Sequence, residues 1–145
     1  MYLLDTCIIS EFSRRRPSPS VVAWFETVST ADLYLSAVTI GEMQKGVAKL
    51  PVDDPMRRKL VVWVNSIEAE FSQRVLKFDS EVAKEWGRIV GEALRIGRVR
   101  PLVDMQIAAT AFKHGMILVT RNTKDMEGVG VELLNPFEFQ TNERK

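Results

Sequence analysis

The chain has 145 residues, of which 46% are hydrophobic and 27% charged, with a net charge of +1; this fits one folded domain over residues 1–145 and excludes a disordered protein or one steered to nucleic acid by a global basic field. One cysteine, Cys7, excludes an internal disulfide or a cysteine-rich zinc site, and one histidine, His114, argues against a histidine metal site or a Ser-His-Asp triad. No run reaches the roughly 18 apolar residues of a membrane span, and Asp5 interrupts the first apolar run, so a cytoplasmic protein is expected.

Met1-Tyr2-Leu3-Leu4-Asp5-Thr6 is a short apolar run that ends in a carboxylate. It predicts a strand buried on both faces, with Asp5 at the carboxyl end, where open α/β sheets bind their ligands. Residues 7–12 follow with helical spacing, Ile8, Ile9 and Phe12 sharing a face. Arg14-Arg15-Arg16-Pro17-Ser18-Pro19-Ser20 reads as a basic loop. Residues 21–28 form a second short helix, with Val21, Trp24, Phe25 and Val28 on one side, and residues 32–36 a second strand. Residues 38–50 are a helix with the stripe Ile40, Met43, Val47 and Leu50. Pro51 ends it, and Asp53-Asp54-Pro55 opens another that runs to about Phe71.

Residues 75–78 predict a third strand, and Asp79 an N-cap for a helix with Val82, Trp86, Ile89, Val90 and Ala93 on one face, stopped near Gly97. Arg98-Val99-Arg100-Pro101 is a basic linker, residues 102–114 a helix stopped by Gly115, residues 116–120 a strongly apolar strand, and residues 131–134 a weaker one. Strands alternate with helices throughout, which predicts a parallel α/β sheet with helices on both faces.

Four acids could carry chemistry. Asp5 ends the first strand, where a plain N-cap is the competing explanation. Asp104 lies one turn before Ile107, Ala108 and Ala111, at the mouth of the buried face; the helix dipole explains an acid there but not its inward angle. Glu42 shares a face with Lys45 and Lys49 and, alone, reads as a surface ion pair. Asp125 follows Arg121-Asn122-Thr123-Lys124, where a turn or short helix also favours Asp. The two most apolar strands are plausible neighbours, which would bring Thr120 and Asn122 close to Asp5. If the acids converge on one sheet edge, their repulsion calls for a cation, and oxygen-only ligands suit Mg²⁺ or Mn²⁺.

Leu3-Leu4-Asp5-Thr6, then Ser36-Ala37-Val38-Thr39-Ile40-Gly41-Glu42, then Asp104-Met105-Gln106-Ile107-Ala108-Ala109-Thr110-Ala111, then Val119-Thr120-Arg121-Asn122-Thr123-Lys124-Asp125 resemble a PIN domain. They are most similar to the VapC-type toxins of prokaryotic toxin–antitoxin pairs, including the FitB-like branch. The resemblance covers nearly the whole chain. It implies a three-layer α/β/α fold around a central, mostly parallel sheet, and a metal-dependent endoribonuclease that hydrolyses RNA phosphodiester bonds. It also implies Mg²⁺ or Mn²⁺ as cofactor, RNA as substrate, a VapB-like cognate antitoxin and a homodimer.

Matched by position, Asp5, Glu42 and Asp104 correspond to the family's three main acids and would bind the metal. The fourth site residue falls at Asn122 or at Asp125, with Asp125 expected to assist catalysis. Thr6 and Thr120 match hydroxyl residues that orient the first Asp or a metal-held water. Cys7 departs from the family, where Asn is frequent, and puts one supporting hydrogen bond in question, because a thiol is a poor donor.

A haloacid-dehalogenase-like phosphatase needs an acid at the position of Cys7, and a receiver domain with Asp79 as phospho-acceptor needs an acidic pair after the first strand; neither pattern is present. A catalytically inactive PIN-like binding module acting through a partner protein is the remaining alternative. Arg14, Arg15, Arg16, Lys45, Lys49, Arg98 and Arg100 are candidates for holding RNA phosphates, while Trp24, Trp63 and Trp86 sit at core spacing.

Overall fold

Two leucines with no exposed surface, Leu3 and Leu4, mark the first strand as the middle of the molecule. In the computed structural model, which describes residues 1–140, the strands are β1 (Tyr2–Leu4), β2 (Leu33–Ser36), β3 (Val75–Leu76), β4 (Ile117–Val119) and β5 (Leu133–Leu134). They form one sheet in the order β3-β2-β1-β4-β5, with every pairing parallel. The helices are α1 (Thr6–Phe12), α2 (Pro19–Glu26), α3 (Ala37–Ala48), α4 (Pro55–Phe71), α5 (Ser80–Arg95), α6 (Leu102–Lys113) and α7 (Thr123–Met126).

Successive strand residues point to opposite faces. Leu3 and Leu118 therefore join one core with Val82, Ile89, Met105 and Ala108 from α5 and α6. Leu4 and Val119 join the other, with Ile8, Trp24, Met43 and Val64 from α1 to α4. The result is the expected α/β/α sandwich, and burying each leucine of β1 contributes about 2 kcal/mol. Helix α6 is buried over Met105 and 107–111, far beyond a single stripe, because it packs against α5 on one side and α3 on the other. Its alanines keep that wedge thin.

Caps confirm several boundaries. Asp54 accepts from the Met56 N–H at 2.9 Å, with Pro55 opening α4. Asp79 accepts from the Val82 N–H at 3.1 Å, so it is a helix cap. After α6, Gly115 takes φ +63°, the Met116 N–H reaches the Ala111 carbonyl at 2.9 Å, and the Gly115 N–H reaches that of Phe112 at 3.2 Å. This is a Schellman closure that turns α6 directly into β4.

Some boundaries differ from expectation. Helix α2 starts at Pro19, inside the expected loop, because proline at the first helical position has the right φ and needs no N–H partner. Strands β3 and β5 keep only two residues each, as suits edge strands with one neighbour. The tryptophans pack as expected: Trp24 is buried edge-on to Tyr2, and Trp86 lies edge-on to Phe78. Among the described residues, no helix is long and apolar enough to cross a membrane.

Candidate active site

The strand order reverses between β1 and β4. Chain segments leaving those two strands diverge to opposite sides, which opens a crevice at the carboxyl edge. Asp5 leaves β1 and Thr120 leaves β4, so both stand at its floor. The Asp5 N–H extends the ladder to the Val119 carbonyl at 2.9 Å, while its φ and ψ of −69° and 157° already set up the N-cap of α1.

The Asp5 side chain is only 3% exposed, yet three donors serve it. Its Oδ1 accepts from the Thr6 N–H at 2.8 Å. Its Oδ2 accepts from the Thr120 hydroxyl at 2.7 Å and from the Cys7 thiol at 3.6 Å. Burial nevertheless raises the Asp5 pKa; the donors pull it back, and the charge of Glu42 pushes it up again. The cap explanation is therefore correct but incomplete: one oxygen caps α1, and the other is tied across the strand reversal to β4. Thr120 is fully buried, and its hydroxyl oxygen accepts from the Asn122 N–H at 3.0 Å. Asn122 acts here through its backbone, while its side chain makes no cap bond to α7.

Cys7 supports Asp5 with its thiol. Burial, then the Asp5 charge, raises its pKa to about 11, so at neutral pH it keeps the proton it donates to Asp5.

Glu42 comes from α3, which starts where the buried Ser36 hydroxyl accepts from the Val38 N–H at 3.0 Å. The Thr6 hydroxyl donates to Glu42 Oε1 at 2.6 Å. The hydroxyl of Thr39, fully buried one turn earlier on α3, lies 3.2 Å from that of Thr6. The Thr6 hydroxyl thus has Glu42 and Thr39 as its two acceptors. Among the described residues Glu42 forms no ion pair with Lys45 or Lys49, contrary to the surface-pair explanation.

Asp104 sits half-buried in the first turn of α6. Desolvation, followed by the charges of Asp5, Glu42 and Asp125, raises its pKa to about 6. Asp104 therefore feels the charges of the other three acids, and Asp5 feels that of Glu42. Asp125 is exposed on α7 and contributes least. None of the four has an ion-pair partner among the described residues.

The acids are spread along the crevice. Among the described residues, no three His, Cys, Asp or Glu side chains are grouped to hold one metal ion by themselves. Mg²⁺ is ordinarily held through one or two carboxylates while keeping several waters, so a spread set of oxygen donors suits it. A closed nitrogen or sulfur cage of the zinc type is not formed.

Among the described residues none of the basic candidates forms an ion pair with the four acids. Arg14 pairs with Glu11 at 3.3 Å; Arg15, Arg16, Lys45, Lys49 and Arg98 are exposed. Arg100 is not a free linker cation: it is 8% exposed and donates to backbone carbonyls of 125 and 127. Sequence reasoning missed Thr39, and it read Arg100 as a phosphate-holding linker residue rather than as a buried one. Thr39 was detectable, since it stands three residues before Glu42 and so on the same helix face. Arg100 gave no signal, because nothing in a linker's spacing announces burial.

A parallel sheet with a buried aspartate at its strand reversal, faced by acids from α3, α6 and α7, defines an α/β/α protein with a carboxylate-lined crevice. The chain belongs to the PIN domain family, which it matches over residues 2–131. It is 34% identical to the VapC ribonuclease Y4jK of Sinorhizobium fredii, over 95% of this chain and 99% of that one. It is 36% identical to toxin FitB of Neisseria gonorrhoeae, over 94% and 99% of the two chains. The structure of FitAB bound to an IR36 DNA fragment superposes with a TM-score of 0.87 at 37% identity, covering 99% of this chain and 100% of that one.

Proposed function

We propose that this protein is an endoribonuclease that hydrolyses RNA phosphodiester bonds with Mg²⁺ or Mn²⁺, and that it is the toxin of a toxin–antitoxin pair. The observation that carries the reading is the unrelieved acidic crevice: a buried, three-donor Asp5 beside Glu42, an Asp104 that feels the charges of Asp5, Glu42 and Asp125, and no ion-pair partner among the described residues. Relatives that align over almost their entire length carry the names ribonuclease and toxin, which supports the same reading. The solved relative was captured as FitAB, which supports a cognate antitoxin here.

Asp5, Glu42 and Asp104 would hold the cation, some of them through its retained waters, with Asp125 at the rim. Such a dication lowers the pKa of water and neutralises charge on phosphate oxygens. The chain's own residues supply orientation. Thr6, Thr120 and Cys7 occupy three of the about four lone-pair sites of Asp5, so the remaining one has a fixed direction. Thr6 likewise fixes one oxygen of Glu42 and leaves the other free to face the crevice. Asp104, raised to about 6 by burial and its acidic neighbours, would give up its proton when a cation binds. An inactive binding module gains no support, since nothing in the crevice replaces the missing counter-charge among the described residues.

The test is cleavage of an RNA panel by purified protein freed of any antitoxin. Cleavage is expected with Mg²⁺ or Mn²⁺ and not with EDTA. Undiminished cleavage in EDTA sinks the metal dependence, and no cleavage of any RNA with either metal sinks the nuclease.

A further inference from the structure

Helix α7, Thr123–Met126, is a single turn and cannot sustain itself, since helix formation carries a costly nucleus. Its N-terminus has no side-chain cap. Only Met126 is buried within it, at 1% exposure. A turn of this kind leaves carbonyls without intrahelical partners at its C-terminal end. Here Arg100 takes them: one guanidinium nitrogen donates to the Asp125 carbonyl at 2.9 Å, the other to the Glu127 carbonyl at 2.7 Å. The guanidinium has no carboxylate partner among the described residues, so its charge is met by the negative end of α7. The chain then folds around it. Gly128 turns away at φ +82°, and a Cβ there would stand 3.4 Å from the guanidinium.

Arg100 stands four residues before Asp104 on one segment and grips the backbone of Asp125 on another. The same loop carries Asn122, whose N–H orients the Thr120 hydroxyl on Asp5. We propose that Arg100 is a positioning residue of the acidic crevice: its fork on the α7 carbonyls holds Asp125 beside Asp104 and keeps the Asn122–Thr120–Asp5 chain of hydrogen bonds in register. This rests on the metal-dependent reading above. A lysine would keep the charge but cannot bridge two carbonyls with a planar fork.

The experiment compares wild type, Arg100→Lys and a control, Val64→Ala, which loosens the opposite core without touching the crevice. Each is measured for thermal stability, for binding of Mn²⁺ alone by calorimetry, and for kcat and KM on a cleaved RNA. Both variants are expected to melt earlier. Only Arg100→Lys is expected to bind Mn²⁺ more weakly, by about tenfold or more, with kcat reduced and KM unchanged. In an Asp125→Asn background the added loss of Mn²⁺ affinity from Arg100→Lys should shrink. If Arg100→Lys melts early but matches Val64→Ala in Mn²⁺ affinity and kcat, Arg100 only supports the fold and the proposal is overturned while the nuclease stands. If wild type neither binds Mn²⁺ nor cleaves RNA, the functional reading falls and takes the proposal with it. Should Arg100→Lys fail to fold, Gly128→Ala, which strains the left-handed turn beside the guanidinium and keeps its charge, is held to the same comparison.

Discussion

At the residue scale, two aspartates of one crevice are treated differently by their surroundings. Asp5 is desolvated but has three donors. Asp104 is desolvated and faces three other acids, and its pKa of about 6 records that. A carboxyl whose folded pKa is raised binds its proton more tightly in the folded state than in the unfolded one. Its contribution to stability is fully present below the unfolded pKa, near pH 4, and is lost as the pH rises through about 6. The metal-free protein should therefore lose stability across this window, and Asp104→Asn should flatten that loss and leave the variant more stable than wild type at neutral pH. Thermal unfolding in EDTA from about pH 4.5 to about pH 7.5 checks this. Parallel curves for the two proteins would show that Asp104 ionises as an ordinary surface acid.

At the element scale, the Schellman closure at Gly115 links the helix of Asp104 to the strand of Thr120. Nothing stands within 4 Å of a Cβ placed on Gly115, so Gly115→Ala tests the backbone alone. A left-handed alanine costs about 1–2 kcal/mol, and denaturant unfolding should show that loss. Mn²⁺ affinity should not change, because the crevice side chains are untouched; a larger effect on Mn²⁺ than on unfolding would mean that the closure sets the crevice geometry. Such stops were legible in the sequence, as were the caps at Asp54 and Asp79 and the central strands, because each rests on local chemistry within a few residues. The fold class followed from the alternation of strands and helices. What was not legible depended on distant segments. The fork of Arg100 spans from residue 100 to residues 125 and 127. The nearly complete burial of α6 depends on α3 and α5 arriving on both sides. Placing Asp5, Glu42, Asp104 and Asp125 at one edge needed the family resemblance, since each acid alone had an ordinary explanation.

At the scale of the whole molecule, a net charge of +1 hides an uneven distribution. The crevice is acidic and lacks a counter-ion among the described residues, while RNA is itself a polyanion. Cation binding should therefore relieve repulsion and stabilise the fold at once. Wild type should gain about 2.7 kcal/mol at Mn²⁺ one hundred times its dissociation constant, and Asp5→Asn should gain much less. Unfolding with EDTA and with Mn²⁺ measures both; an equal gain in the two proteins would place the ion elsewhere.

The bond from Thr120 to Asp5 joins residues 115 apart in the chain. During synthesis, the first strand emerges long before the strand that completes its sheet and orients its carboxylate. A ribosome that has made Asp5 and Glu42 has made two acids and no crevice. Closing so long a loop is slow relative to forming the helices in between. The acidic crevice therefore comes into being only as the last third of the chain docks, and a product cut short before β4 lacks the hydroxyl that orients Asp5.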